Sequence, residues 1–267
     1  MSKLIASTEA ISVATEPRVG FATQGSGPWA NWDRYITLDG KRAFHIGNLC
    51  GTCAFVFERL NGANDKVSPE ELSERLRCGL TGIDDEVVKT ATSVLPAGRY
   101  DALLVKCVPR LVVPSKGWDY FFDEQLALWG VDGFWGVPHY TKAEYYRTAV
   151  ARMGNGRGLF EFVVPMFPKN YLLADAVSSY KNAFSQAVLP TALAVSILDV
   201  KQPADWNGNP DVTEHWCLAH YLLDGHHKTC AAAELGMPVS ILSFLASEKG
   251  VSSREQVAEA IETLRNG

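Results

Sequence analysis

The sequence predicts an α/β protein of the α+β kind, with mixed sheets in two tightly packed parts. Three observations carry this. In the second half, short apolar runs alternate with stretches whose apolar residues recur at helical spacing. In the first half, strand-like runs dominate, punctuated by Asp39-Gly40 and Gly47-Asn48. The composition is that of an ordinary globular chain: 267 residues, 47% hydrophobic and 21% charged. A chain this long buries on the order of 70–75% of its unfolded surface, so it does not need disulfides to fold.

Taken in order, residues 1–30 are weakly patterned and end in Gly20, Gly25, Gly27 and Pro28. A partly ordered arm is expected there. An N-terminal α+β part of unknown type is assigned to residues 31–153. Within it, Tyr35–Leu38 and Arg42–Ile46 flank Asp39-Gly40, a strong hairpin signal. A further run, Phe55–Leu60, follows. Ser68-Pro69-Glu70-Glu71 has the form of a capped helix start, with Leu72 and Leu76 as the apolar face and Gly79 as the stop. Asp101–Val113 reads as strands broken at Pro109-Arg110. Trp118–Tyr146 is rich in aromatic residues, read as core, with a stacking surface as the alternative. Three glycines in Met153–Gly158 suggest a joint, not a phosphate loop, because no Gly-Lys-Ser/Thr follows.

The third unit spans residues 159–267. Leu159–Val164 reads as a strand, and Asp175 opens a helix with Val177, Tyr180, Phe184 and Val188 on one face, ended by Pro190. Ala192–Leu198, Cys217–Leu223 and Val239–Leu245 read as strands, and Lys201–Thr213 as a polar loop. Thr229–Leu235 is helical up to Gly236. Ser253 and Gln256 form a capping box before Val257, Ala260, Ile261 and Leu264, which defines a final amphipathic helix.

The net charge of −5 and the lack of a Lys/Arg block argue against nucleic acid as the main partner. No stretch approaches ~20 apolar residues, and the start lacks the pattern of a secretion signal. No membrane association is expected, the cytoplasm is the expected location, and the six cysteines are expected to be mostly reduced. Homo-oligomerisation is left open.

The residues with the clearest chemistry are Asp224-Gly225-His226-His227-Lys228-Thr229, where an apolar strand meets a glycine and then a helix. A helix start presents unpaired N–H groups and a positive dipole end, which favour phosphate. Two imidazoles and an ammonium add donors. The plain alternative is that His226 and His227 only cap and solvate the helix. His220 alternates with Leu218 and Leu222 as a core or cleft histidine, whereas His215 is expected to face solvent.

The segment Leu223–Lys228, followed by Ala231-Ala232-Ala233-Glu234-Leu235-Gly236-Met237-Pro238-Val239, resembles the signature of the ParB/sulfiredoxin superfamily. The preceding strand, helix and strand from Phe160 to Asp199 fit the same order. The resemblance implies a mixed-sheet domain that binds nucleotide phosphates through Gly225, His226, His227, Lys228 and Thr229. Asp224, His226 and His227 would be its catalytic groups, acting with ATP, ADP or CTP and Mg2+. The implied activity is phosphoryl transfer to, or nucleotide-driven chemistry on, a small-molecule substrate. The alternative is a nucleotide-sensing binding module, and a DNA partition or nuclease-like role is the third reading.

The sequence departs from the pattern in three places. Only one helix follows the last strand, where a partition protein would continue into a DNA-binding region. His226 occupies the place of the sulfiredoxin cysteine. Met166–Tyr171 holds no carboxylate in the place of the serine-kinase glutamate, for which Glu161 or Asp175 would have to substitute. Separately, Cys50-Gly51-Thr52-Cys53 has the spacing of half a zinc site or of a redox dithiol, with Cys78, Cys107 and His45 the nearest further ligands.

Overall fold

The computed structural model describes residues 2–13, 17–52, 55, 57–112, 121, 144–202 and 213–267. The fold is α+β: among the described residues, thirteen strands form a nine-stranded and a four-stranded sheet. Strands in chain order are β1 (Lys3–Val13), β2 (Val19–Gln24), β3 (Asp33–Leu38), β4 (Lys41–Asn48), β5 (Glu58–Arg59), β6 (Gly98–Cys107), β7 (Arg110–Val112) and β8 (Tyr145–Arg147). They continue with β9 (Ala151–Gly154), β10 (Arg157–Val164), β11 (Thr191–Lys201), β12 (Glu214–Asp224) and β13 (Val239–Ala246). The helices are α1 (Glu70–Cys78), α2 (Asp85–Thr92), α3 (Ala174–Ser185), α4 (His226–Leu235) and α5 (Arg254–Arg265).

The large sheet runs β1-β6-β13-β11-β12-β10-β8-β7, and β9 shares an edge of β10 with β8. Two neighbouring pairs, β11/β13 and β10/β12, are parallel and the rest are antiparallel. All residues of β11 are buried. Such a continuous apolar strand is what a centre covered on both faces requires.

One face carries Ala192, Ala194, Leu222 and Ile241 against α3 and α4. Further along the same face, Leu103, Leu198, Trp216 and Leu245 lie against Val257, Ala260, Ile261 and Leu264 of α5. The opposite face packs Val195, Ala219, Tyr221 and Phe162 against the small sheet (β2-β3-β4-β5) and against Leu72, Leu76, Val87 and Ala91 of α1 and α2. The result is three layers: helices, large sheet, then small sheet with two helices. A buried ion pair joins the two sheets. Arg34 of β3 grips Asp199 of β11 through two hydrogen bonds of 2.9 and 2.6 Å, and Arg34 also donates to the Ile46 and Lys249 carbonyls.

Several elements follow the sequence closely. The β3–β4 hairpin turns on Asp39 (φ 49) and Gly40 (φ 76), both left-handed as the tight hairpin turn demands. In α5 both halves of the Ser253–Gln256 capping box are formed.

Other elements differ. The expected arm over residues 1–30 is largely strand: β1 pairs antiparallel with β6 from Lys3↔Lys106 to Val13↔Gly98, and β2 edges the small sheet. Two register breaks in β1, at Leu4/Ala6 and Thr8/Ile11, erase the period-two alternation that would have disclosed it. Gly154-Asn155-Gly156 is the turn between β9 and β10 inside the large sheet, not a joint between units. Strands from residues 3–13 and 98–107 share that sheet with those after residue 157.

At α1, Pro69 takes the cap position and Ser68 makes no capping bond. Helix α2 was not expected. Asp84 caps it by accepting from the Val87 N–H at 2.8 Å. Trp118 and most of the aromatic run lie outside the described residues, while Phe121, Tyr145 and Tyr146 are buried as core. The loop 203–212 also lies outside them. No helix among the described residues is long and apolar enough to cross a membrane.

Candidate functional site

The motif sits at the end of β12, where the chain leaves the sheet and enters α4. Gly225 has φ 98, in the left-handed region. A Cβ there would stand 2.5 Å from the Ala192 Cβ on the neighbouring strand. Conformation and close packing therefore both require glycine. No side chain caps α4. The N–H groups of His226, His227 and Lys228 meet no acceptor among the described residues, and the first helical bond runs from Thr229 to the Gly225 carbonyl. His226 and Lys228 are each only 3% exposed. A helix start with so little exposed surface ordinarily finds a capping partner.

The side chains are turned to the fold. His226 accepts from the Met166 N–H at Nε2 (3.0 Å), and its ring stacks on Phe167 with centroids 4.1 Å apart. Burial pushes its pKa down to about 3, with Asp224 opposing the shift. His227 accepts from the Leu173 N–H at Nε2 (3.1 Å), and burial lowers its pKa too. Since both Nε2 atoms accept, each proton sits on Nδ1, and neither ring is a free base at Nε2.

The Lys228 ammonium donates to the Thr191 carbonyl at 2.9 Å and faces Asp224 Oδ2 at 3.6 Å. Burial lowers its pKa, and Asp224 resists that change. Thr229 is fully buried and its Oγ1 has no hydrogen-bond partner among the described residues. A divalent cation would find one carboxylate in the motif, Asp224, already opposed by Lys228. These residues do not by themselves make a magnesium site.

Two contributors were not read from the sequence. The connection from β5 to α1 reaches the end of β12, where the Val67 N–H bonds the Leu223 carbonyl at 2.7 Å. This brings the exposed Lys66 within electrostatic range of His226, His227 and Lys228. Lys66 forms no ion pair among the described residues. The second contributor is the segment from Met166 to Leu173, whose N–H groups hold both imidazoles. Neither has a local pattern, because only tertiary contact brings them to the motif.

The remaining candidates lie elsewhere. Glu161, on β10, accepts from the Thr148 hydroxyl at 2.9 Å and stands 3.5 Å from His220 Nε2. His220 Nδ1 in turn lies 2.7 Å from Ser196 Oγ, so His220 is a core histidine in a buried polar seam. Asp175 is exposed in the first turn of α3. His215 is fully buried against Phe121 and Phe160, contrary to the solvent-facing position expected for it, because β12 is covered on both faces.

Cys50 is disulfide-bonded, which removes it as a thiolate ligand, and Cys53 lies outside the described residues. Cys78, Cys107, Cys217 and Cys230 are free thiols. His45 bonds Asp33 at 3.2 Å. Among the described residues, no three His, Cys, Asp or Glu side chains gather as metal ligands.

The class these observations define is a three-layer α+β protein with a strand–glycine–helix turn packed beneath a second chain segment. No protein-family model matches the chain, and it matches neither a curated protein nor a solved structure.

Proposed function

We propose that the chain binds a nucleotide through its phosphates at the start of α4, as a binding module of ParB/sulfiredoxin-like character. The observation that carries this reading is the set of three N–H groups at His226, His227 and Lys228 that meet no acceptor among the described residues, with the exposed Lys66 ammonium nearby. Aligned donors of this kind favour a tetrahedral oxyanion, and a cation at the rim adds to the attraction. Binding is favoured over turnover because both imidazoles and the Lys228 ammonium already have partners within the fold. Phosphoryl transfer to a small molecule is the second reading. It draws on Asp224, whose carboxylate remains 18% exposed beside the helix start.

A thermal-shift titration with ATP, ADP, CTP and GTP, each with and without magnesium, tests the proposal. Ligand at about a hundred times its Kd stabilises the native state by about 2.7 kcal/mol. The expected result is a rise in melting temperature with at least one nucleotide, reduced in Lys66→Glu. No rise with any nucleotide at millimolar concentration would overturn it. Phosphate release or transfer in the same samples would select the second reading.

A further inference from the structure

Strand β11 meets α4 at Thr191, and its other end, at Lys201, holds a second cluster of chemistry. The Lys201 side chain is buried, at 1% exposure. Its ammonium donates to the Cys50 carbonyl at 2.8 Å and to the Asn48 carbonyl at 3.4 Å, and it forms no ion pair among the described residues. The charged groups that face it are Asp199 and Arg34, and the Cys217 thiol is its other electrostatic neighbour. Asp199 already accepts two hydrogen bonds from Arg34 and one from the Val251 N–H. Two buried cations thus share one carboxylate, which leaves one positive charge over. A buried excess charge is costly, and an anion formed beside it lowers that cost.

The loop that Lys201 grips carries sulfur. Cys50 is disulfide-bonded, whereas Cys78, Cys107, Cys217 and Cys230 are free thiols. The Gln202 N–H donates to the Gly51 carbonyl at 2.7 Å and the Leu49 N–H to the Trp32 carbonyl at 2.9 Å, so the main chain is pinned on both sides of Cys50. Cys50 itself is half-buried, and Leu49, Gly51 and Thr52 around it are exposed. The Thr52 hydroxyl lies 3.3 Å from Cys50 Sγ. A disulfide sulfur carries no hydrogen, so the hydroxyl is the donor, and the same bond serves a thiolate. Cys217, by contrast, is fully buried.

We propose that the Cys50 disulfide is a thiol–disulfide exchange site whose substrate is a dithiol, with Lys201 and Thr52 stabilising the Cys50 thiolate. A substrate thiolate attacks Cys50 Sγ and forms a mixed disulfide. The original S–S bond breaks, and its electron pair leaves on the partner sulfur, which takes a proton from solvent. The second substrate thiolate then attacks the substrate sulfur of the mixed disulfide, and Cys50 departs as a thiolate. The protein disulfide gains two electrons and the dithiol becomes a disulfide. A thiolate of lowered pKa is the better leaving group, so the ammonium and the hydroxyl speed this last step.

The test uses the full chain as wild type, Lys201→Met, Lys201→Arg and Thr52→Val. Reduction by dithiothreitol is timed at neutral pH, and the reduced chains are alkylated with iodoacetamide across a pH series, with Cys50 followed by peptide mass mapping. In wild type, Cys50 is expected to titrate below the ordinary thiol value of about 8.5. Lys201→Met should cut its thiolate fraction at neutral pH by roughly tenfold, the scale of one lost neighbouring charge, and slow the reduction. Lys201→Arg keeps the charge and should restore most of the wild-type profile. Thr52→Val should shift the profile the same way by a smaller amount, and it decides the matter if Lys201→Met does not fold. A disulfide that resists millimolar dithiothreitol in the folded chain overturns the proposal. So does a Cys50 pH profile that is ordinary in wild type or unchanged in the folded variants.

Discussion

At the scale of single residues, the motif histidines are framework as much as chemistry. His226 fills a buried place, receives a main-chain N–H and stacks on Phe167. His226→Ala would leave that N–H unpaired beside a cavity, so a loss of about 2–4 kcal/mol is expected, read from urea unfolding. Loss of ligand binding in that variant would therefore say little about chemistry. The pH dependence is a cleaner readout. The His226 pKa falls from 6.5 unfolded to about 3 folded. The native state thus binds fewer protons than the unfolded chain throughout that interval. Stability from this group is fully present above the unfolded value and is lost as pH falls towards the folded one, at up to about 1.4 kcal/mol per pH unit. His215, lowered to about 4 by burial and Arg147, adds a slope of the same sign. Unfolding free energies between pH 4 and 8 should therefore decline less steeply in His226→Gln than in wild type. Parallel profiles would contradict the buried, neutral state of His226.

At the scale of elements, the turn into α4 is set by one glycine. Gly225→Ala combines a left-handed φ with a Cβ driven against Ala192, and a destabilisation of roughly 2 kcal/mol or more is expected from thermal or urea melts. The same elements show what was legible. The strands β10–β13 could be read as continuous apolar runs and helices α3 and α5 from helical apolar spacing, because each buries a face or a whole strand in the core, whereas α4 was legible mainly through its glycine stop. Strand β1 could not, since its bulges break alternation and its outer edge is exposed. Helix α2 carried a usable signal in Asp84 and the Val87/Ala91 spacing, but it is only eight residues long. For the site, Gly225 and the helix start were readable. The inward turn of both imidazoles was not, because it depends on the main chain of Met166 and Leu173, far away in sequence.

At the scale of the whole molecule, the two sheets are joined by apolar packing and by the Arg34–Asp199 pair. Removing one partner strands the other charge in the core. Arg34→Met or Asp199→Leu should each cost about 3–5 kcal/mol, whereas the two together should cost less than the sum. A double-mutant cycle in urea measures the coupling, and strict additivity would show that the pair does not act as a unit.

The position of β13 has a further consequence, for synthesis. This strand is inserted between β6 and β11, so the sheet is closed only after the other described strands have been made. A nascent chain that has emerged only to residue 238 holds two half-sheets, each with an apolar edge open to any passing strand. Completion of the large sheet must wait until Val239–Ala246 have left the ribosome. Ribosome-stalled chains ending before Val239 should therefore be far more sensitive to protease than those in which Ala246 has cleared the exit tunnel.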